Sequence, residues 1–342
     1  MEKMKALMFF APKDARIIEI PRPEPARDQA LVRILKAGIC GGDYHYYDGT
    51  SPYAHYPHVY GHEMVGIVEK VCGQCALHEG DMVTGEIILP CGKCFACRHQ
   101  KPNCCSNMGV VGQYANGIFS EYAVYPLCNL HKLPDGLDAD DGVLVEPYSI
   151  GHHIAHRAPV QEGETVLVIG CGTIGLTVID VLKTMGTRVI AADLSASRRA
   201  VAMSFGADSF IDAAKTDMGA EVLRLTDDEG VAVVYEATGS TQVMSTTTQY
   251  VASGGSIVIA GITGKPVTLD GLQITKKELS IFGSRNAYGD FERVIELFHE
   301  GKLHQRQLIT RRVPMERAPE AFRELYEDHA AEIKVVLEWP ER

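Results

Sequence analysis

The sequence predicts an α/β protein with two domains, an irregular, mostly β domain followed by a doubly wound domain with a parallel sheet. Three observations support this prediction. The chain has 342 residues, more than one typical core accommodates and about right for two domains. Its first part consists of short β-rich runs between Gly, Pro and Cys loops, and its second part alternates apolar β runs with helix-length segments. The change in character falls near Tyr148.

The first domain is predicted from short, β-rich runs. Residues 1–25 alternate short apolar runs with charges and read as two strands, without the long apolar centre and cleavage site of a secretory signal. Further strands are predicted at 30–35, 66–71, 81–89 and 120–125. Because Gly, Pro and Cys loops separate these runs, the domain is expected to be irregular.

The second domain is predicted from strands that alternate with helices, the pattern of a parallel sheet with crossover helices. These strands are predicted at 165–170, 187–193, 209–212, 232–239, 256–262 and 279–284. The chain then continues with two helical segments, 290–301 and 316–328, and a last strand at 333–339.

Composition limits the classes of partner. Charged residues make up 23% and hydrophobic residues 46%, the balance of a globular protein, and the net charge is -11. An acidic chain has no broad positive field for nucleic acid or an anionic membrane, so small molecules are the expected partners. The most apolar run, 165–179, is broken by glycines, too short for a bilayer and followed by Asp180. We expect a cytoplasmic protein whose ten cysteines serve metal binding or chemistry rather than disulfides.

A glycine-rich turn joins the first predicted strand of the second domain to its first helix. Gly170, Gly172 and Gly175 have the G-x-G-x-x-G spacing, and Thr173 and Ile174 stand between the last two glycines. Gly170 permits a tight turn, Gly172 lets the backbone approach a pyrophosphate, and Gly175 lets the helix pack on the strand. Because the helix N-terminus attracts phosphate, the turn predicts a dinucleotide site.

The second strand of this domain predicts which dinucleotide binds. It ends in Asp193, eighteen residues after Gly175. A carboxylate there would accept the ribose hydroxyls and repel a 2′-phosphate, so NAD is favoured over NADP. Arg198 and Arg199 are the competing signal, because either could instead reach a phosphate.

A four-cysteine loop predicts a structural zinc site. Cys91, Cys94, Cys97 and Cys105 form a C-x2-C-x2-C-x7-C pattern, and four thiolates so placed can close a tetrahedron around zinc with no open position. Cys104 is the competing fourth ligand. The remaining thiols are interpreted as core or surface cysteines: Cys72, Cys75, Cys128 and Cys171.

Cys40 suggests a second, different metal site. His62, Glu63 and Glu146 could join it if the β domain brings these segments together. A cysteine, a histidine and a carboxylate with one position left open is the pattern of a catalytic zinc site.

The chain resembles, over essentially its whole length, the medium-chain, zinc-dependent alcohol and polyol dehydrogenases. The motifs that carry the resemblance are "GICGGDYH", "GHEMVG", the four-cysteine loop, "GIFSEY", "LVEP" and "GCGTIG". The resemblance implies a GroES-like catalytic domain formed by 1–148 and 291–342, with a Rossmann domain at 149–290 inserted between them. It also implies two zinc ions per chain, NAD as cofactor, and a homodimer or homotetramer.

The resemblance also implies roles for single residues. Cys40 and His62 would bind the catalytic zinc, with Glu63 or Glu146 as the third protein ligand. Asp43 would fix the orientation of the His62 imidazole through the ring nitrogen of His62 that does not bind zinc.

One departure from the family pattern concerns proton transfer. Gly42 stands where the family usually has a serine or threonine hydroxyl that passes the substrate proton outward. We therefore expect the relay to run through water at the metal and a carboxylate such as Glu146, with His45 as an exit. Cys72 also departs from the family pattern, and we have no functional account of it.

The substrate prediction depends on two residues. Tyr46 lies in a stretch rich in tyrosine and histidine where the family lines its pocket, and Arg285 follows the last strand of the parallel sheet. A tyrosine hydrogen-bonds hydroxyls, and an arginine pairs with a carboxylate. Because the "GSRNA" and "PNCC" stretches resemble sugar-acid dehydrogenases, we expect oxidation of a secondary hydroxyl of a polyol or aldonate such as L-galactonate or L-gulonate. The alternatives are an L-threonine 3-dehydrogenase, another secondary-alcohol dehydrogenase, and a non-catalytic protein that binds NAD and zinc.

Overall fold

The computed structural model describes residues 2–113, 116–328 and 332–340. The chain divides into two compact units. The first unit contains 1–146, 291–300 and 305–342, and the second contains 147–290 and 301–304.

Short strands and helices alternate along the described chain. The strands are β1 (Lys3–Ala11), β2 (Asp14–Pro21), β3 (Gln29–Ile39), β4 (Glu63–Cys72), β5 (Met82–Gly85), β6 (Ile88–Leu89), β7 (Gly109–Val110), β8 (Tyr122–Pro126), β9 (Leu130–Lys132), β10 (Thr165–Ile169), β11 (Arg188–Asp193), β12 (Ser209–Asp212), β13 (Val231–Glu236), β14 (Val251–Ile259), β15 (Ser280–Gly283), β16 (Ile309–Pro314) and β17 (Lys334–Glu338). The α-helices are α1 (Gly41–Tyr47), α2 (Phe95–Arg98), α3 (Ala139–Gly142), α4 (Val145–Ala155), α5 (Thr173–Thr184), α6 (Arg198–Ser204), α7 (Met218–Leu225), α8 (Thr241–Thr246), α9 (Gly271–Lys277), α10 (Phe291–His299) and α11 (Ala318–Glu327). Short 3-10 helices occupy Pro102–Cys104, Leu127–Asn129, Thr247–Gln249, Gln305–Leu308 and Met315–Arg317.

The first unit is built on a seven-stranded mixed sheet. Its order is β16-β17-β3-β4-β5-β9, and β8 pairs with β3 beside this path. β1 and β2 are the two strands expected in the first 25 residues, and they form a separate antiparallel hairpin. β17 runs antiparallel to β3 and places Val336 opposite Gly38, while β4 places Glu63 opposite the same glycine. The sheet therefore brings the last strand of the chain beside the segment that carries Cys40.

The second unit is a six-stranded parallel sheet in the order β12-β11-β10-β13-β14-β15. This order is that of a doubly wound Rossmann domain, in which the strand order reverses between β10 and β13. The strands are rich in β-branched and apolar residues that lie in the core, including Leu167, Ile190, Val234 and Ile257. Such continuous apolar runs fit a sheet that is covered on both faces. The predicted fold class is confirmed by this architecture.

The two helical segments predicted after the parallel sheet are present as α10 and α11. In α10 the buried residues Phe291, Val294, Ile295 and Phe298 recur at helical spacing. Among the described residues, no helix is long and apolar enough to cross a bilayer.

Candidate active site

Cys40, His62 and Glu63 come together in the first unit. The ligand atoms of these three residues lie within 4.8 Å of one another. Cys40 follows β3, His62 precedes β4, and Glu63 is the first residue of β4. Because β3 and β4 are neighbours in the sheet, the pairing of the strands joins residues that are more than twenty positions apart.

Cys40 also forms the N-cap of α1, in an arrangement that fixes Asp43. The Cys40 sulfur accepts a hydrogen bond from the Gly42 amide at 3.5 Å, and Asp43 Oδ2 accepts one from the Cys40 amide at 2.8 Å. Asp43 is fully buried, and its Oδ1 lies 3.8 Å from Nδ1 of His62. This distance is longer than a hydrogen bond, because Asp43 is held on the N-terminus of its own helix. Burial raises the pKa of Asp43 to about 6.

Lys334 is the residue of this site that sequence reasoning missed. Its Nζ lies 2.7 Å from both carboxylate oxygens of Glu63 and 3.0 Å from the carbonyl oxygen of Ile39, and both charged side chains are 2% exposed. Burial lowers the pKa of Lys334, but the acidic groups Glu63, Cys40 and Glu146 together outweigh burial, and the net shift of the pKa is upward. A single lysine at the start of the apolar strand β17 was the signal that could have found it.

Gly38 makes room for this ion pair. A Cβ on Gly38 would lie 2.0 Å from Oε2 of Glu63, closer than atoms can approach. Any side chain at this position would displace Glu63 from Lys334.

Glu146 lies in the first turn of α4 and is 5% exposed. Burial, followed by the negative charge of Glu63 among other groups, raises its pKa to about 7. The structure does not bring its carboxylate into the group of atoms within 4.8 Å that Cys40, His62 and Glu63 form. Of the two predicted carboxylates, Glu63 is therefore the one that lies with the cysteine and histidine.

The charges of this cluster fit a bound divalent cation. The acidic groups around His62 are Asp43, Glu63, Glu146 and the Cys40 thiol, and of these groups Lys334 pairs with Glu63 alone. A divalent cation bound here would offset the negative charge of the groups that Lys334 does not pair with. Sulfur, imidazole nitrogen and carboxylate oxygen are the ligands that zinc takes in proteins.

The two other residues predicted near this site lie on α1. His45 is exposed, and its Nδ1 lies 2.9 Å from the Thr50 hydroxyl. Tyr46 is half-buried, its ring stacks on that of Tyr60 with centroids 4.4 Å apart, and burial raises its pKa to about 12.

The cysteines of the predicted four-cysteine loop, residues 91–105, also come together, and we call this loop the lobe. The sulfur atoms of Cys91, Cys94, Cys97 and Cys105 lie within 4.8 Å of one another, and all four are free thiols. Backbone amides of Cys91 and Asn107 donate to the Cys105 sulfur, each at 3.3 Å. Backbone amides of Cys97 and Ser106 lower the pKa of Cys94 to about 5.

Cys104, the alternative fourth ligand, is exposed and lies outside the group. Four thiol sulfurs this close together fit the ligand set of a structural zinc site.

The glycine-rich turn lies at the carboxyl end of β10. Gly170 has φ of +99°, and a Cβ on Gly175 would lie 1.7 Å from the Gly170 carbonyl oxygen. Gly172 is exposed, with nothing within 4 Å of a built Cβ, and α5 starts at Thr173 with Ile174 half-buried. The turn thus leaves its middle open to a ligand at the point where the sheet order reverses.

Asp193 stabilises the same turn. It ends β11, and its Oδ2 accepts a hydrogen bond from the Cys171 amide at 2.7 Å, while Oδ1 accepts one from Ser195 at 2.8 Å. Of the two competing arginines, Arg198 is half-buried and Arg199 is exposed, both at the start of α6. Arg285 is exposed, two residues after β15 in the second unit, whereas Tyr46 belongs to the first.

Comparison with known proteins gives a consistent result. The alcohol dehydrogenase GroES-like domain model matches residues 26–135, and the zinc-binding dehydrogenase model matches 173–300. The chain is 33% identical to the L-galactonate-5-dehydrogenase of Escherichia coli K12, over 94% of this chain and 95% of that protein. It is also 33% identical to the L-threonine 3-dehydrogenase of Pyrococcus horikoshii, over 90% of this chain and 91% of that protein.

A solved structure shows the same fold in complex with a cofactor. The crystal structure of the Escherichia coli CFT073 alcohol dehydrogenase RspB with NADH is similar at a TM-score of 0.92 and 32% identity, covering 99% of this chain and 100% of that one. The first unit is GroES-like and holds a Cys-His-Glu cluster, and the second is a Rossmann unit with an open glycine turn. Both features and the nearly equal length of the relatives point to the same family. The chain therefore belongs to the medium-chain, zinc-dependent alcohol and polyol dehydrogenase family and is an oxidoreductase.

Proposed function

We propose that this enzyme transfers a hydride between NAD and a secondary hydroxyl of a polyol or sugar acid. The observation that carries this proposal is the group formed by half-buried Cys40 and His62 and buried Glu63, with ligand atoms within 4.8 Å of one another. In this proposal Cys40 and His62 hold a zinc ion, with Glu63 or Glu146 as the third ligand. When bound, zinc supplies a Lewis acid that lowers the pKa of an alcohol, and NAD supplies the hydride acceptor.

The residues of the cluster have different proposed roles in proton transfer. Oxidation of a secondary alcohol moves a hydride from carbon to the nicotinamide and releases the hydroxyl proton. Glu146 is proposed to take up that proton on its carboxylate, because Gly42 has no hydroxyl for this purpose. Lys334 neutralises Glu63 through contacts of 2.7 Å to both oxygens, which leaves Glu146 as the carboxylate available for proton transfer.

The proton-transfer role has its own test. Glu146→Gln keeps the size of the side chain and removes its ability to accept a proton. We expect turnover to fall at least about 100-fold, with the KM for NAD changed less than about threefold. Steady-state kinetics with saturating substrate measures both numbers, and unchanged turnover would refute this role of Glu146.

Asp193 supports NAD as the cofactor. Its oxygens already accept amide hydrogen bonds, and the remaining lone pairs can accept those of a ribose. A 2′-phosphate would be repelled by this carboxylate unless Arg198 compensates it. The prediction that follows is a lower KM for NAD than for NADP.

The substrate class is proposed from residues that recognise hydroxyl and carboxylate groups. Tyr46 offers a hydroxyl on the helix that follows Cys40, and Arg285 offers a guanidinium that suits the carboxylate of an aldonate such as L-galactonate or L-gulonate. The relative named for L-galactonate supports a sugar acid, and the relative named for L-threonine supports the alternative of a threonine dehydrogenase.

Other parts of the proposal concern the whole chain. We propose that 1–148 and 291–342 form the catalytic domain, that 149–290 bind the dinucleotide, and that the four-cysteine lobe holds a second, structural zinc. We also propose a homodimer or homotetramer and a cytoplasmic location.

A substrate panel tests the function directly. Zinc-loaded protein is assayed for NAD reduction with polyols, hexonates, L-threonine and simple alcohols. Cys40→Ala removes a proposed ligand, and Cys72→Ala is the matched control, because Cys72 is half-buried in the same unit and lies outside both cysteine groups. We expect turnover of a hydroxylated acid or polyol that Cys40→Ala loses and Cys72→Ala retains.

The other outcomes are equally informative. Oxidation of threonine alone would replace the proposed substrate class. No oxidation across the panel, despite bound zinc and NAD, would overturn the proposal. Activity that survives in Cys40→Ala would overturn the role of this cluster.

A further inference from the structure

Glu236 is a buried acid to which neither the sequence nor the proposed chemistry gives a role. It is the last residue of β13 and is 0% exposed. In the sheet it lies between Ile169, the last residue of β10, and Ile259, the last residue of β14.

One oxygen of Glu236 holds the loop that follows it. Oε1 accepts hydrogen bonds from the Thr238 amide at 2.7 Å and from the Gly239 amide at 3.1 Å, and the Thr238 hydroxyl donates to the same oxygen. The Thr238 hydroxyl in turn accepts the amide of Ser240 at 3.0 Å. One carboxylate therefore fixes three successive residues of the loop 237–240.

This loop lies between two other turns at the carboxyl edge of the sheet. A Cβ on Gly170 would lie 2.9 Å from Cγ2 of Thr238, so the loop touches the glycine-rich turn. On its other side, a Cβ on Gly261 would lie 2.1 Å from the Gly239 amide nitrogen and 2.6 Å from Oε2 of Glu236. The loop 237–240 thus lies between the turns that follow β10 and β14 and is close to both.

Burial of Glu236 is unfavourable for the free energy of folding. The groups that act on its carboxylate are hydrogen-bond donors rather than lysine, arginine or histidine side chains. Among the described residues, Oε2 has no partner with hydrogen-bond geometry, although the backbone of Gly261 lies beside it. Burial raises the pKa of Glu236, while the Thr238, Gly239 and Gly261 donors oppose this shift. A buried acid without a cation destabilises a protein, and this one lies at the point where the sheet order reverses. Ligands of such sheets bind in the crevice at this reversal point.

We propose that Glu236 is a positioning residue of the dinucleotide site, which holds the loop 237–240 against the glycine-rich turn so that both are in place before the cofactor binds. The inference rests on the proposed binding of NAD. An ordered loop spares the cofactor the entropy of ordering it on binding. Removing Glu236 should therefore weaken cofactor binding while the chemical step continues once the cofactor is bound.

NADH titration followed by nicotinamide fluorescence tests this inference, together with hydrogen exchange of the loop in the cofactor-free protein. We expect Glu236→Ala to raise the Kd for NADH at least tenfold and to speed exchange at residues 238–240. Glu236→Gln keeps an acceptor oxygen, so its Kd should stay within threefold of the unchanged protein. In turnover assays Glu236→Ala should raise the KM for NAD with kcat changed less than twofold.

Asp208→Asn is the matched control. Asp208 accepts hydrogen bonds from the Val189 amide at 2.7 Å and from Lys183 at 2.8 Å, at the opposite, amino end of β11. It should leave the Kd for NADH unchanged. If Glu236→Ala does not fold, Thr238→Val removes the hydroxyl that links Glu236 to Ser240 and should raise the Kd several-fold.

The two hypotheses fail in different ways. If the unchanged protein binds no NADH, the proposed function fails. If it binds NADH and the Glu236→Ala and Thr238→Val proteins bind equally well, only the role of Glu236 fails. An equal loss of affinity in Asp208→Asn would also overturn it, because the effect would then be general destabilisation.

Discussion

The two cysteine-containing clusters of the first unit differ in how the chain builds them. The lobe cysteines, Cys91 to Cys105, lie within fifteen residues of sequence and meet within one loop. The cluster of Cys40, His62 and Glu63 is assembled by two paired strands, and Lys334 reaches it from the last strand of the chain. Local spacing builds the first cluster, whereas the whole sheet builds the second.

This difference predicts how far the effect of a substitution should spread from each cluster. In the lobe, backbone amides donate directly to the sulfur of Cys105. In the other cluster, buried charges depend on one another, and Lys334 with Glu63 is the tightest pair. We expect changes in the lobe to stay local and changes at the assembled cluster to affect both function and global stability.

The largest expected effect comes from the assembled cluster. His62→Ala removes the imidazole but leaves the Lys334 pair intact. Because loss of residues that only support metal ligands already costs 10- to about 100-fold, we expect turnover to fall more than about 100-fold. Kinetics and zinc analysis measure this loss. His78→Ala, which alters an exposed histidine of the same unit, should change neither quantity.

The next effect concerns the buried ion pair. Lys334→Met leaves Glu63 without its cation, and breaking a buried pair by removing one partner costs about 3–5 kcal/mol. Urea unfolding at neutral pH measures the loss of free energy of unfolding. The double variant Lys334→Met, Glu63→Gln should recover part of it, because no buried charge is then left unpaired. Equal stability of the single and double variants would contradict this account.

A smaller, pH-dependent effect is expected where α3 meets Arg306. Asp141 is buried and accepts from Arg306 at 2.8 and 2.6 Å and from Gln305 at 2.9 Å. Burial alone would raise the pKa of Asp141, but these donors outweigh it and lower the pKa. Its contribution to stability is therefore present above its unfolded pKa of about 4 and lost as the pH falls through the lower folded value.

Asp141→Asn tests this sign. At pH 7 we expect a loss of about 2 kcal/mol, the size of hydrogen bonds to a charged group. The difference from the unchanged protein should stay constant between pH 5 and pH 8, and shrink below about pH 4. Denaturant unfolding at several pH values gives the profile, and a difference that grows toward acid pH would contradict the prediction.

The smallest global effect is expected in the lobe. Cys97→Ser removes one of four grouped sulfurs, and we expect loss of one zinc per chain with faster hydrogen exchange confined to residues 91–105. Cys104→Ser is the matched control, because its exposed neighbouring thiol lies outside the group. If Cys97→Ser lowered global stability as much as Lys334→Met, the contrast between local and assembled clusters would be wrong.

The fold and part of the site could be predicted because their signals are local. The alternation of strands and helices predicted the parallel sheet, and G-x-G-x-x-G after β10 predicted the open turn at Gly172. The cysteine spacing predicted the lobe, whereas the choice between Cys104 and Cys105 depended on which thiol faces inward.

Other parts of the site could not be predicted, because they depend on strand register. A slip of one residue turns a side chain to the opposite face of the sheet, so sequence alone could not place Lys334 on Glu63 or Gly38 opposite it. Sequence also left Glu63 and Glu146 as alternative candidates, because it could not show which of the two segments folds against Cys40 and His62. The sheet places Glu63 with them.

By itself, the sequence determined the fold class, the family and the kinds of chemistry available, because periodicity and residue spacing act over short distances. Only the tertiary structure decided which buried charges meet. Paired strands brought Lys334 to Glu63, and the order of the parallel sheet brought Glu236 beside the glycine-rich turn. Electrostatic energies in a low dielectric depend on separations of a few ångströms, and those separations are set when distant segments pack together.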